Sequence, residues 1–185
     1  MLFAVVTALL FTASHLHAAT ITFTFATNPG ADGKLTYVTD PNGAQPAQDS
    51  FLATILSPQL GTGTVAVPND FTNYITATGH SNLGTFTFAN GTFSGSVDSV
   101  LNLMTGAAAI TYHINSGTGA YLGAVGTLNE SAQFTSFGTF SPNVPATAAI
   151  LSGGGTLTLT PEPATAGMLA LGVLGCACLR RQKQR

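Results

Sequence analysis

Five stretches of this chain alternate an apolar or aromatic residue with a polar one: Thr20-Ile-Thr-Phe-Thr-Phe25, Leu35-Thr-Tyr-Val38, Thr85-Phe-Thr-Phe88, Ile110-Thr-Tyr-His-Ile114 and Thr156-Leu-Thr-Leu-Thr160. Successive side chains of a strand point to opposite faces, so period two gives each stretch one apolar face and one face of hydroxyls. No window of helical length carries a sustained apolar stripe at i, i+3, i+4 and i+7. Turn signals separate the strands: Asp32-Gly33, Asp40-Pro-Asn-Gly43, Pro68-Asn-Asp70, Ser116-Gly-Thr-Gly119, Pro142-Asn143 and Ser152-Gly-Gly-Gly155. Short strands so spaced predict an all-β antiparallel body, either a β-barrel or a two-sheet β-sandwich.

Charge narrows what such a body can do. The 185 residues suit one domain with appendages, and only 6% are charged, where an ordinary soluble domain has about 25%. A net charge of -2 excludes a basic nucleic-acid binder. Disorder is excluded too, because 45% of the residues are hydrophobic.

One hairpin can be written out. Asn90-Gly91 is a strong two-residue turn signal flanked by strand-like residues. A turn centred there sets Ala89 opposite Thr92, Phe88 opposite Phe93, Thr87 opposite Ser94, Phe86 opposite Gly95 and Gly84 opposite Val97, with the apolar partners on one face. In Ser116-Gly-Thr-Gly-Ala-Tyr-Leu-Gly-Ala-Val-Gly126 the glycines suit a tight turn feeding a bent strand, with Tyr121 and Leu122 on opposite faces. No Lys follows them, which excludes a phosphate loop. This run resembles the Gly-Thr-Gly-aromatic-x-Gly-Ala-x-Gly hairpin of allene oxide cyclase and dirigent barrels. The resemblance implies an antiparallel barrel of about eight strands around a central pocket. It does not extend to their chemistry. Dirigent-type sites lean on acidic residues with an arginine, and between residues 20 and 160 there is no arginine and one lysine, Lys34.

The two ends read as addresses. Residues 1–19 form an uncharged apolar run closing in small residues, a secretory signal peptide cut after Ala18 or Ala19, although no Lys or Arg precedes the run. Residues 161–185 begin Pro161-Glu162-Pro163, continue uncharged from Ala164 to Leu179, and end in Arg180, Arg181, Lys183 and Arg185. As a helix, 164–179 would span about 24 Å, marginal against a hydrocarbon core of about 30 Å. Four of the five Lys and Arg residues lie in the last six positions, which holds that end cytoplasmic and the body outside.

This tripartite tail resembles the PEP-CTERM sorting signal. The resemblance implies an exported bacterial protein with exosortase, a membrane-embedded cysteine transpeptidase, as its processing partner. It also implies that Pro161, Glu162 and Pro163 are recognition residues and that the basic residues form a retention tail. The two prolines disfavour helix at the preceding residues and keep the motif extended. Cys176 and Cys178, the only cysteines, fall in the apolar span, where alternate positions on a helix face different ways, so neither a body disulfide nor a metal pair is expected.

The body offers few groups for catalysis: Asp32, Asp40, Asp49, Asp70, Asp98, Glu130, Lys34, His80 and His113. Asp32, Asp40 and Asp70 are assigned to turns, where a short carboxylate bonds its own backbone. His113 shares the face of Thr111, and a pairing with Glu130 or Asp98 would be the one general acid/base arrangement available. There is no Gly-x-Ser-x-Gly elbow and no Asp-x-Asp-x-Asp loop, so no enzyme, cofactor or metal is expected. Asn90-Gly-Thr92 and Asn129-Glu-Ser131 match glycosylation sequons, but Asn90 reads as a turn residue. The expected function is therefore that of an exported, exosortase-sorted surface or extracellular-matrix protein with a non-catalytic β-rich body at 20–160. Its partners are the secretion machinery, the membrane before processing, and exosortase. The alternative is a barrel binding a glycan or small apolar ligand, with Tyr74, Tyr112 and Tyr121 adding hydroxyls to an aromatic pocket.

Overall fold

The computed structural model describes residues 18–27, 33–37, 44–134 and 145–160. The signal peptide up to residue 17, the turn signals at 40–43 and 142–143, Asp32, and the whole tail from Pro161 lie outside the described residues.

Among the described residues nine strands follow in order: β1 (Ala19–Thr27), β2 (Gly33–Tyr37), β3 (Ala47–Ser57), β4 (Gly61–Asn73), β5 (Thr78–Phe88), β6 (Gly91–Asn102), β7 (Ala107–Gly117), β8 (Ala124–Phe134) and β9 (Pro145–Leu159). From β3 onward each strand pairs antiparallel with the next. β9 then pairs with β1 from Ala19↔Leu159 to Ala26↔Ser152, and with β2 from Gly33↔Ala148 to Thr36↔Pro145. Both β1 and β2 pair in turn with β3. They lie end to end in one place of the sheet, so the ring closes as an antiparallel barrel of eight strand positions. The sandwich alternative is thereby set aside, and closure leaves the first residues of β1, which pair with β9 alone, as the remaining edge at this seam.

The inward faces divide along the barrel axis. Toward the rim formed by the β3–β4, β5–β6 and β7–β8 turns, Phe23, Phe25, Phe86, Phe88, Phe93 and Tyr121 fill the interior. Phe86 stacks on Phe93 with centroids 5.1 Å apart, and Phe93 meets Tyr121 edge-on at 5.2 Å, within the favourable range for ring pairs. The other half of the interior mixes apolar side chains such as Leu35, Phe51, Val67 and Phe134 with the carboxyls of Asp49, Asp70 and Glu130. Outside, hydroxyls bond across strands, as between Thr92 and Thr118 (2.8 Å), Ser94 and Ser116 (2.8 Å), and Thr22 and Thr156 (3.1 Å).

The alternating stretches fall in strands apart from Thr160, just past β9, and Val38, which lies outside the described residues, and Tyr121 is buried while Leu122 is exposed, as their opposite faces required. Three local expectations fail. The hairpin turn is Ala89-Asn90, closing Phe88 on Gly91, so Phe86 faces Phe93 and Gly84 faces Gly95. The register is two residues from the expected one, which keeps every side chain on its face. Gly91 leaves the turn because the backbone of Thr118 and Gly119 lies where its Cβ would be, at a φ of 145°.

Ser152-Gly-Gly-Gly155 is no turn but the middle of β9, paired to β1 on one side and β8 on the other. Side chains there would run into Phe25, Leu128 and the neighbouring backbones, so the glycines mark close packing. Pro68-Asn-Asp70 likewise lies inside β4, where the pairing with β3 jumps from Asp49↔Asp70 to Phe51↔Val67. One extra residue on β4 makes this a β-bulge, which accepts a proline.

Candidate functional site

The bulge in β4 creates the polar half of the barrel. Before it, Val65 and Val67 point inward; after it, the inward positions are Asp70 and Thr72. Asp70 is thus a half-buried acid in a strand, its Oδ1 shielded from solvent, and not the turn residue its sequence context suggested. Asp49, on the regular inward face of β3 with Ala47, Phe51, Ala53 and Ile55, lies directly across from it. Glu130 enters from β8 on the face of Leu128, Ala132 and Phe134.

Three hydroxyls meet these carboxyls. Tyr74 Oη donates to Asp49 Oδ2 at 2.9 Å, Thr72 Oγ1 to Asp70 Oδ2 at 3.4 Å, and Tyr112 Oη to Glu130 Oε2 at 3.1 Å. Four buried oxygens have no partner: Asp49 Oδ1, Asp70 Oδ1, Ser99 Oγ and Glu130 Oε1. Burial, with Asp70 opposite, pushes the Asp49 carboxyl up to about 7. Burial pushes Glu130 up to about 8 and also raises Asp70. Tyr112 is held well above the usual phenol range by burial and by Glu130. Burial is the largest cause for each of the three carboxyls and favours the proton-bearing form, opposed at Asp70 in part by the nearby His80.

A cavity of about 30 Å3 lies between Asp49, Asp70, Tyr74, Ser99 and Tyr112. It is water-sized, whereas sites for small organic ligands run to about 300–1,000 Å3. Tyr74 and Tyr112 border it, as the ligand-binding alternative required, but their hydroxyls are engaged by carboxyls; Tyr121 belongs to the aromatic half. An open groove of about 880 Å3 beside the β6–β7 turn is lined by core residues such as Ala108 and Ala132 as well as by Ala107, Ala109 and Ser131, and has no titratable lining residue among those described.

A second cluster sits outside. His80 and Asp98 are cross-strand partners on β5 and β6, with Nδ1 to Oδ1 at 2.7 Å, and His113 Nε2 on β7 reaches Asp98 Oδ2 at 3.1 Å. The hydrogen bond to Asp98 raises His80 and lowers Asp98. All three are about half exposed. His113 therefore does meet Asp98 but not Glu130, which points to the opposite face of the sheet. Among the described residues, no three His, Cys, Asp or Glu side chains form a group placed to hold a metal ion.

The sorting residues Pro161, Glu162, Pro163, Arg180, Arg181, Lys183 and Arg185 lie outside the described residues. Among those described, no helix is long and apolar enough to cross a membrane. Comparison with known proteins bears on this end directly. The family model of the PEP-CTERM protein-sorting motif matches residues 159–182, which include the last residue of β9. The chain therefore carries an exosortase sorting signal, and the motif implies export through a membrane-anchored precursor. No curated protein matches the chain. Two solved structures similar to it are the pterocarpan synthase dirigent proteins GePTS1 and PsPTS1. GePTS1 is 17% identical, with a TM-score of 0.44 over 79% of this chain and 87% of the other; PsPTS1 is 16% identical, with 0.42 over 79% and 97%.

Proposed function

We propose that this chain delivers a non-catalytic β-barrel to the cell surface or extracellular matrix of a bacterium, with exosortase removing the tail. The match of residues 159–182 to the sorting motif carries this reading. Two features of the barrel support it. The outer face is coated with paired hydroxyls, and the interior is filled by rings and carboxyls with a water-sized cavity. The alternative of a glycan- or terpenoid-sized ligand gains no support from that cavity. β1 begins at Ala19, so cleavage after Ala18 would leave the barrel strands whole.

Mass spectrometry of the protein recovered from its host tests the proposal. The mature chain is expected to end near Pro161-Glu162-Pro163. A mature chain still carrying Arg185 would overturn exosortase sorting.

A further inference from the structure

We infer that the ring-filled rim of the barrel is a docking surface for the headgroup layer of an uncharged lipid bilayer, with the β7–β8 turn and the start of β8 as its contact. The inference rests on the reading of residues 164–179 as the membrane span of the sorting signal. Thr160 is fixed to this rim, where its N–H and its Oγ1 both donate to Gly123 O, at 3.2 and 3.0 Å. Pro161, Glu162 and Pro163 alone stand between it and Ala164. Fully extended, the Cα steps from Thr160 to Ala164 cover about 14 Å.

The span leaves no slack of its own. As a helix, 164–179 reaches about 24 Å against a hydrocarbon core of about 30 Å, so no spare apolar length stands outside the core and the tether begins at or below its boundary. The headgroup layer above that boundary is about 5–8 Å deep. Even a fully extended tether then leaves the rim within about 6–9 Å of the headgroups, and any bend brings the two into contact.

The rim has the chemistry for that contact. Leu122, the chain neighbour of Gly123, is 48% exposed, and Val125, opposite Thr158 on β9, is 40% exposed. Both therefore flank the point where the chain leaves the barrel. The turns at 58–60, 89–90 and 118–123 hold no charged residue, so docking this rim desolvates no charge and calls for no anionic lipid. The opposite mouth also exposes apolar side chains, Ile75 at 82% and Met104 at 98%. Strands of 11 residues such as β5 and β8, tilted as in a barrel, set that mouth about 25 Å farther from the tether. Reach thus selects the ring-filled rim.

The test uses the full chain reconstituted in phosphatidylcholine vesicles, with or without bromine atoms on the lipid chains to quench indole emission. The chain has no tryptophan, so each single substitution supplies the one indole. Leu171→Trp reports insertion of the span. Leu122→Trp and Val125→Trp are expected to lose much of their emission in the brominated vesicles, as side chains at the headgroup–acyl boundary do, whereas Met104→Trp should lose none. Adding Val125→Asp to Leu122→Trp should reduce the loss. Circular dichroism identifies the variants that fold, and either rim variant suffices. Loss at Leu171→Trp with none in a folded rim variant would overturn the inference and leave the sorting reading intact; no loss at Leu171→Trp would overturn both. Equal loss at Leu122→Trp and Met104→Trp would also overturn it, because the barrel would then lie on its side. So would a change at Leu122→Trp seen only in membranes of the host, which would assign the surface to a membrane protein.

Discussion

Tyr112 and Glu130 are joined inside the barrel by a 3.1 Å hydrogen bond from the phenol to Oε2, and both are almost wholly withdrawn from solvent. The pair belongs to facing strands β7 and β8, whose register sets Glu130 opposite Ile110 and Tyr112 opposite Leu128. The acid is therefore the diagonal neighbour of the phenol on one face, a distance that a long aromatic side chain spans.

The raised pKa of Glu130 makes folding pH-dependent. Burial lifts it from an ordinary 4.5 to about 8, so between those values the native state holds a proton that the unfolded chain has lost. Stability must then fall as pH rises through that window, by up to about 1.4 kcal/mol per pH unit, and level off above it. Glu130→Gln keeps an acceptor for Tyr112 and removes the titration. Its denaturation midpoint should vary less between pH 5 and pH 8 than the parent's, as urea titrations at several pH values can measure; equal slopes would show that Glu130 is not the titrating group.

Outside the barrel, His80 titrates higher than usual because Asp98 bonds it. A His raised by a partner contributes stability below its unfolded pKa and loses it as pH rises through the folded value. Here the exposure of both side chains keeps that contribution small. The visible effect is in NMR. The His80 ring signals should titrate at higher pH than in a model peptide, and Asp98→Asn should bring the midpoint down.

The aromatic half is the packed part of the core. Phe86 is fully buried and lies 5.3 Å from Phe25, 5.1 Å from Phe93 and 4.8 Å from Tyr112 between centroids. Phe86→Ala should cost about 3–5 kcal/mol in equilibrium unfolding, whereas Thr87→Ala, on the exposed neighbouring position, should stay within about 0.5 kcal/mol.

Closure also fixes association. A fragment of residues 18–160 forms a closed ring, with only the start of β1 paired on one side, and should remain monomeric in sedimentation at rising concentration, with a β-type circular dichroism spectrum and cooperative melting. Steady growth into oligomers would mean that the ring opens in solution.

Local alternation made the strands legible, because Thr-Phe and Thr-Leu repeats carry both their period and their burial. Register was harder to read. Asn90-Gly91 looked like the centre of a turn because the contact that needs Gly91 bare, with Thr118 and Gly119, comes from another hairpin. Gly153–Gly155 resembled a loop for the same reason: Phe25 and Leu128 pack against them from strands distant in sequence.

The acid site was half-written in the chain. Leu128, Glu130, Ala132 and Phe134 alternate, as do Ala47, Asp49, Phe51 and Ala53, and both patterns place a carboxylate on an apolar face. Asp70 could not be found so, since only the bulge at Pro68-Asn69 turns it inward.

The pairing of Ala19 with Leu159, and of Thr160 N with Gly123 O at 3.2 Å, means that the polypeptide enters and leaves the barrel on the ring-filled rim. Only Thr160 to Pro163 separates that rim from the apolar span, a tether of four residues that reaches at most about 14 Å. A precursor held by its tail would therefore keep the ring-filled rim within about 14 Å of the start of the apolar span. The enzyme that frees it would have to reach a motif that begins one residue after Thr160, close to a folded barrel.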